Sequence, residues 1–215
     1  MAKKIFITAT NTDIGKTYTT KLLLEELALK GFRVGAIKPI ETGVINGYCP
    51  DGEILLKCVQ ELNPEMDWLC VTDIVPVTYE SPAAPIVASG NEPLDVNKIK
   101  RSMERIELCC DILLIEGAGG LFVPVDEKCM MVDFIEIFEA SALLVTHCHL
   151  GCINDTLLSK KVLQDRGIKH LVAFNCKMED DEFKNISKPY FDSIGFEVLK
   201  VSQNIDTICD VLYNL

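Results

Sequence analysis

The chain contains 215 residues, of which 32 are acidic and 21 are basic, which gives a formal net charge of −11 at pH 7. Hydrophobic residues make up 48% of it and charged residues 25%, and this composition excludes a disordered or fibrous protein. The excess of acidic residues argues against non-specific binding to nucleic acid or to an anionic membrane, since both polyanions would repel the chain. Charged residues interrupt every apolar run well short of a membrane span or a secretory signal, so we expect a cytoplasmic protein.

Short apolar runs alternate along the chain with segments of helical periodicity. The predicted strands are residues 4–8, 34–38, 73–77, 111–115, 142–146, 170–174 and 196–201. The predicted helices are residues 17–30, 52–61, 96–109, 132–138, 153–165, 181–193 and 205–213. Strands that are apolar at successive positions suit burial on both faces. The alternation therefore predicts one α/β domain over residues 1–215, with a parallel sheet of about seven strands and helices on both faces.

Ten cysteines are spread along the chain without the spacing of a disulfide framework. We expect most of them to be small core residues in a reducing compartment. The group His147, Cys148, His149 and Cys152 has the residue types of a metal site. It follows a predicted strand, however, and strand alternation sends neighbouring side chains to opposite faces, which favours ordinary packing.

The first predicted strand runs directly into Ala9-Thr10-Asn11-Thr12-Asp13-Ile14-Gly15-Lys16-Thr17, and a helix follows at once. This order is the context of a phosphate-binding loop, in which backbone N–H groups and a helix N-terminus face phosphate oxygens. Lys16 would reach the β- and γ-phosphates and Thr17 would ligate Mg²⁺. The general motif has glycine where this loop has Thr10, and the alternative is an ordinary turn between strand and helix. The context favours the loop and a P-loop NTPase-like fold.

Two further charged residues end predicted strands. Lys38 precedes Pro39, where its ammonium group either faces the edge of the sheet that carries the loop or snorkels to the surface. Glu116 ends an apolar strand, which is where phosphate-loop enzymes place a Mg²⁺-binding carboxylate. The glycines at 117, 119 and 120 let the backbone approach a ligand. Because ligands bind at the carboxyl ends of parallel strands, these features together predict one nucleotide and metal site.

These segments resemble the ATP-dependent dethiobiotin synthetases of biotin synthesis. The matching stretches are residues 8–17, 37–43, 116–120 and 150–154, with a weaker match at 81–85, and they follow the family's order to about residue 176. The resemblance implies a homodimeric, Mg²⁺-dependent cyclo-ligase that acts on 7,8-diaminopelargonate, CO₂ or bicarbonate, and ATP. A carbamate would attack the γ-phosphate to give a carbamic-phosphoric anhydride, and ring closure would release dethiobiotin, ADP and phosphate.

The resemblance also implies roles for individual residues. It assigns catalysis to Lys16 and Lys38, and the Mg²⁺ shell to Thr17, Asp51 and Glu116. The implied nucleotide site comprises Asp13, Ile14, Gly15, Lys16, Thr17, Tyr18, Asp51, Glu116, Gly117, Ala118, Gly119 and Asn175. The implied substrate site comprises Thr12, Lys38, Thr42, Gly119, Gly151, Cys152, Asn154 and Tyr190. The last four would reach the substrate carboxylate of the partner subunit across the dimer interface.

Other functions share this architecture. Residues 201–204 depart from the family's Pro-containing loop that contacts the base, so selectivity for adenine stays open. One alternative is a related ligase for another acid, although such enzymes usually carry a glutaminase domain for which 215 residues leave no room. The other alternative is a partition or septum-positioning ATPase switch, a class with a signature lysine where this loop has Thr10 or Asn11.

Overall fold

The computed structural model describes residues 2–176 and 180–215. Its strands are β1 (Lys3–Ala9), β2 (Val34–Ile37), β3 (Ile40–Thr42), β4 (Val77–Tyr79), β5 (Ile112–Gly120), β6 (Ser141–Thr146) and β7 (His170–Phe174). Its α-helices are α1 (Lys16–Leu29), α2 (Pro50–Leu62), α3 (Val71–Ile74), α4 (Pro85–Ala88), α5 (Val96–Glu107), α6 (Asp133–Ile137), α7 (Cys152–Asp165), α8 (Lys188–Ser193) and α9 (Ile205–Asn214). A 3₁₀ turn (Pro64–Met66) follows α2, and a π-helical turn (Phe183–Ser187) leads into α8.

Five of the strands form a parallel central sheet in the order β2-β5-β1-β6-β7, and β3 and β4 pair separately, also in parallel. Strand β1 lies in the middle of the large sheet, where its Ile5, Phe6 and Ile7 have no exposed surface. Three successive buried residues require cover on both faces, and this explains the uniformly apolar strands. The chain passes from one side of β1 to the other between β5 and β6, so the carboxyl end of β1 is the place where a ligand is expected.

The predicted fold class is confirmed, but the central sheet has five strands, not about seven. The strand predicted at 73–77 is wrong. The Asp73 carboxylate accepts a hydrogen bond from the N–H of Cys70 and thereby caps the start of helix α3. Of the predicted strand only Val77 is in a strand, β4, which lies outside the central sheet. This cap stabilises a helical turn in place of the extended backbone that the apolar residues favour.

The strand predicted at 196–201 is also wrong. Lys200 forms a single parallel bridge to Phe174 of β7. The side chain of Asn204 then accepts the N–H of Lys200 at 2.9 Å and draws the chain into the turn before α9. The segment therefore lies beside the edge of the sheet without extending it.

Within the described residues one disulfide bond joins Cys148 and Cys176, a pair that the cysteine spacing did not indicate. Thr146 of β6 pairs with Phe174 of β7, and each cysteine lies two residues beyond its strand, so the same register brings the two together. Their Cα atoms are 5.3 Å apart, within the range that a disulfide requires. The expectation that most cysteines are buried is confirmed for Cys49, Cys58, Cys110, Cys148, Cys152, Cys176 and Cys209.

Among residues 2–176 and 180–215, every helix is too short or too polar to cross a bilayer.

Candidate active site

The loop between β1 and α1 brings a helix N-terminus to the carboxyl end of the central strand. Gly15 caps α1 with φ +93°, a left-handed conformation that glycine adopts without strain. A Cβ atom added at Gly15 would lie 2.2 Å from the side-chain nitrogen of Asn175, so any larger residue would have to displace that side chain. The first N–H groups of α1 have no partner within the helix, and with the helix dipole they form a site for an anion.

Lys16 begins α1 and is almost fully buried. Its ammonium group donates to the carbonyl oxygen of Asn11, in the same loop, at 3.3 Å. Burial lowers the pKa of Lys16 to about 8, and the nearby carboxylate of Glu116 opposes this effect. A bound phosphate would also favour the charged form, because it is an anion in contact with the ammonium group.

Glu116 lies in β5 with no exposed surface, and hydroxyl groups of α1 satisfy both of its carboxylate oxygens. Thr17 donates to one oxygen at 2.7 Å, and Thr20 donates to the other at 2.8 Å. Sequence reasoning missed Thr20. Its spacing of three residues from Thr17 places both hydroxyls on one side of the helix, and that spacing was the available signal.

Lys38 follows β2 and is buried, so it does not snorkel to the surface. Its ammonium group lies 3.0 Å from an oxygen of Glu116 and also forms an ion pair with Asp51. Burial alone would lower the pKa of Lys38, but these two carboxylates outweigh it and keep the pKa above its ordinary value. Two anions thus hold one buried cation at the sheet edge.

Glu41, in β3, is a second residue that sequence reasoning did not select. Its two carboxylate oxygens accept the N–H groups of Asp51 and Gly52, each at 3.0 Å, and so cap the start of α2. Burial raises the pKa of Glu41, while Lys38 and the two N–H groups oppose that rise. The available signal was that Pro50 starts a helix after Cys49, which provides no side-chain cap, so the helix N–H groups need an acceptor from elsewhere in the chain.

These elements border a cavity of about 440 Å³ at the carboxyl edge of the central sheet. Its lining combines the phosphate loop, the end of β2, strand β3, the start of α2 and the end of β5. The lining residues are Thr12, Asp13, Gly15, Lys16, Thr17, Lys38, Ile40, Glu41, Thr42, Asp51, Ala118 and Gly119. The cavity therefore presents two ammonium groups and a free helix N-terminus to any anionic ligand.

Comparisons with known proteins decide the family. The family model described as "AAA domain" matches residues 3–210. The ATP-dependent dethiobiotin synthetase BioD of Sulfurovum sp. (strain NBC37-1) is 43% identical over 190 residues, which is 88% of this chain and 90% of that protein. The protein of the same name from Wolinella succinogenes is 35% identical over 213 residues, 98% of each chain. The chain belongs to the ATP-dependent dethiobiotin synthetase family.

Solved structures support the fold of this dethiobiotin synthetase family member. A plasmid partition protein from Borrelia burgdorferi has a TM-score of 0.60 at 10% identity, covering 99% of this chain and 98% of that one. The MinD cell division protein of Aquifex aeolicus has a TM-score of 0.51 at 16% identity, covering 97% and 86%. At these identities the likeness concerns the fold alone, and it confirms the P-loop architecture.

Five residues predicted for the nucleotide site of the synthetase lie outside the cavity lining: Ile14, Tyr18, Glu116, Gly117 and Asn175. Glu116 is buried behind Thr17, and Gly117 packs so closely that a Cβ there would lie 2.8 Å from the ring of Phe6. Asn175 donates to the carbonyl oxygen of Ile14 at 2.8 Å and so contacts the phosphate loop itself. Tyr18 is about half exposed on α1.

The four residues predicted to serve the partner subunit also lie outside this cavity. Gly151 and buried Cys152 begin α7, and Asn154 is exposed and donates to its neighbour Asp155. Tyr190, on α8, is 41% exposed. Helix α7 follows β6, the neighbour of β1, so its N-terminus lies at the same edge of the sheet as the phosphate loop.

The donor set of the synthetase fits Mg²⁺. Thr17, Asp51 and Glu116 offer one hydroxyl and two carboxylates, which are the hard oxygen ligands that Mg²⁺ prefers. Lys38 contacts both carboxylates, and Thr17 contacts Glu116, so the three donors surround one region. No group of three or more His, Cys, Asp and Glu side chains is placed to hold a metal in the described ranges. Mg²⁺ that is bound together with phosphates needs only one or two carboxylates.

Proposed function

We propose that the chain catalyses ATP-dependent formation of dethiobiotin from 7,8-diaminopelargonate and CO₂. The observation that carries the proposal is that Lys16, at the start of α1, and Lys38, after β2, line the same cavity. A carbamate and a triphosphate are both anions, and joining them requires cations between them. The family relationship supplies the identity of the substrates.

The proposed reaction proceeds in three steps. One amine of the substrate adds to CO₂, loses a proton and becomes a carbamate. A carbamate oxygen attacks the γ-phosphorus, the bond to ADP breaks, and a carbamic-phosphoric anhydride forms. The second amine attacks the carbonyl carbon and loses its proton, phosphate leaves, and the ureido ring closes.

The residues divide this work according to their positions. Lys16 and the N–H groups of α1 would bind the phosphates, while Lys38 would stabilise the charge on the carbamate and the transferring phosphoryl group. Thr12, Thr42 and Gly119 would contact the substrate. Thr17, Asp51 and Glu116 would hold Mg²⁺, which neutralises phosphate charge when it is bound.

A homodimer belongs to the same proposal, as does a cytoplasmic location. Gly151, Cys152, Asn154 and Tyr190 would contact the substrate carboxylate that lies in the partner subunit. The N-terminus of α7, a helix of 14 residues, suits a carboxylate, and exposed Leu150 beside it suits a protein contact.

The deciding experiment measures phosphate release by the purified protein with MgATP and bicarbonate, with and without 7,8-diaminopelargonate. We expect release that depends on the diamine, together with a product of the mass of the cyclic urea. Release that is indifferent to the diamine would contradict the proposal and favour an ATPase switch of the kind that shares this fold, or a ligase for another acid.

A further inference from the structure

Glu41 occupies an unusual position for a buried carboxylate. It is 4% exposed and lines the cavity, yet both of its oxygens are directed to the backbone of α2. Helix α2 begins with Pro50, which has no N–H group, so the first two N–H donors are those of Asp51 and Gly52. Glu41 accepts both. The N-terminus of α2 is thereby closed to other anions.

The contact with Glu41 determines where Asp51 lies. The Asp51 side chain forms an ion pair with Lys38, and its backbone N–H donates to Glu41 of strand β3. The neighbouring Gly52 packs closely as well, since a Cβ added there would lie 2.3 Å from Val75 and 3.3 Å from a Glu41 oxygen. Asp51 therefore comes to the cavity on a helix start whose position two carboxylate hydrogen bonds fix.

We propose that Glu41 is a positioning residue, which sets the place of Asp51 and through it the binding of Mg²⁺ with the nucleotide. This inference rests on the Mg²⁺ site of the proposed function. Glu41 acts through the α2 backbone and not as a ligand. Hydrogen bonds from a second residue that orient a metal ligand are worth about 10–100-fold in metal affinity.

Two variants separate this role from a general loss of charge. Glu41→Gln keeps the shape of the side chain but offers one acceptor and one donor to two N–H groups. Glu53→Gln removes the same charge from the first turn of α2, and Glu53 makes no side-chain hydrogen bond or ion pair within residues 2–176 and 180–215. Asp51→Asn, alone and combined with Glu41→Gln, tests whether the effect passes through Asp51.

The measurement is calorimetry with a non-hydrolysable ATP analogue, first in EDTA and then with Mg²⁺ titrated into the protein saturated with the analogue. We expect Glu41→Gln to weaken Mg²⁺ binding roughly 10-fold and to leave analogue affinity in EDTA unchanged. Glu53→Gln should change neither quantity. Adding Glu41→Gln to Asp51→Asn should cause no further loss of Mg²⁺ affinity.

Three results would overturn the proposal. These are unchanged Mg²⁺ affinity in Glu41→Gln, an equal loss of analogue affinity with and without Mg²⁺, or a full additional loss in the Asp51→Asn background. If Glu41→Gln does not fold, Glu41→Asp, which keeps the charge but shortens the reach, is measured with the same expectations. No diamine enters these titrations, so they stand or fall separately from the production of dethiobiotin.

Discussion

At the scale of single residues, the site is a set of buried and half-buried charges that neutralise one another. Lys38 lies between Asp51 and Glu116, and Glu116 also accepts hydrogen bonds from two threonine hydroxyl groups. In such a cluster, the removal of one member leaves its partners buried and uncompensated, so function and stability change together.

Replacing Lys38 tests this coupling. Lys38→Met should abolish turnover and lower the free energy of unfolding by roughly 3 kcal/mol, because two carboxylates lose their buried counter-ion. Mg²⁺ should restore part of that stability, since it would take the place of the cation. Thermal unfolding with and without Mg²⁺ measures both effects. The control is Lys57→Met on the exposed side of α2, and equal stability of the two variants would refute the expectation.

Gly15 presents a steric requirement instead of an electrostatic one. Gly15→Ala should weaken nucleotide binding at least about 10-fold, because the new Cβ must displace Asn175 from the loop. Gly167 also has a positive φ, +67°, but open space where a Cβ would lie, so Gly167→Ala should cost stability of about 1 kcal/mol and leave nucleotide affinity unchanged. Calorimetry measures the nucleotide affinity of both variants, and similar affinities would count against a role for the Gly15–Asn175 contact.

At the scale of elements, side-chain caps decide where helices begin near the site. Glu41 caps α2 and Asp73 caps α3. Both carboxylates are buried, and the hydrophobic pattern of the sequence does not reveal that they accept hydrogen bonds from a helix start. The apolar residues around Asp73 favour a strand on periodicity alone. The tertiary contact with Arg105, at 2.6 Å, adds to the cap and selects the helical turn.

Asp73 provides a prediction with a defined pH dependence. Partial burial raises the pKa of Asp73, but the Cys70 N–H and thiol and the Arg105 guanidinium outweigh it, so the pKa lies below its ordinary value. The carboxylate therefore stabilises the fold above the unfolded-state pKa, about 3.9, and this contribution is lost as the pH falls through the folded-state pKa.

Asp73→Asn should accordingly lower the free energy of unfolding by about 1 kcal/mol at pH 7. The difference from the wild type should vanish at acidic pH, below the folded-state pKa of Asp73. Urea unfolding at several pH values measures it, with exposed Asp67→Asn as the control for loss of charge. A difference between wild type and variant that is independent of pH would show that the carboxylate charge is not involved.

At the scale of the whole molecule, the residues proposed for the active site lie at one edge of the sheet, formed by the carboxyl ends of its strands. The phosphate loop, Lys38, Asp51 and the N-terminus of α7 all follow parallel strands at their carboxyl ends. Gly151, Cys152 and Asn154, three of the residues proposed to serve the partner subunit, lie at that edge but outside the cavity, next in the chain to Leu150, which is 76% exposed. A second copy of the chain would cover them.

The proposed dimer makes Leu150 a test of assembly. The wild type should sediment as a dimer, and Leu150→Glu should shift it toward the monomer and reduce turnover, because a charge would be buried at the contact. Leu108→Glu is the matched control, since Leu108 is 82% exposed and precedes β5, at the opposite end of the sheet. A wild type that is monomeric, or equal behaviour of the two variants, would refute the proposal.

The sequence by itself determined the α/β class, the phosphate loop and the family. A strand that is buried on both faces must be uniformly apolar, and a phosphate loop requires a fixed order of residues. Both features can therefore be recognised from residues that are adjacent in the sequence. Lys38 and Glu116 were found for the same reason, because each ends an apolar run. That the chain is one domain, and the roles of the site residues, stay predictions.

Only the tertiary structure decided how many strands share the central sheet, which cysteines pair, and which groups support the charged cluster. Strand pairing and register join residues that are far apart in the chain, as Cys148 and Cys176 are. Thr20 and Glu41 were missed because their partners, Glu116 and the start of α2, meet them only after folding. A hydrogen bond between distant residues leaves no periodic trace in the sequence, and so these contacts became visible only in three dimensions.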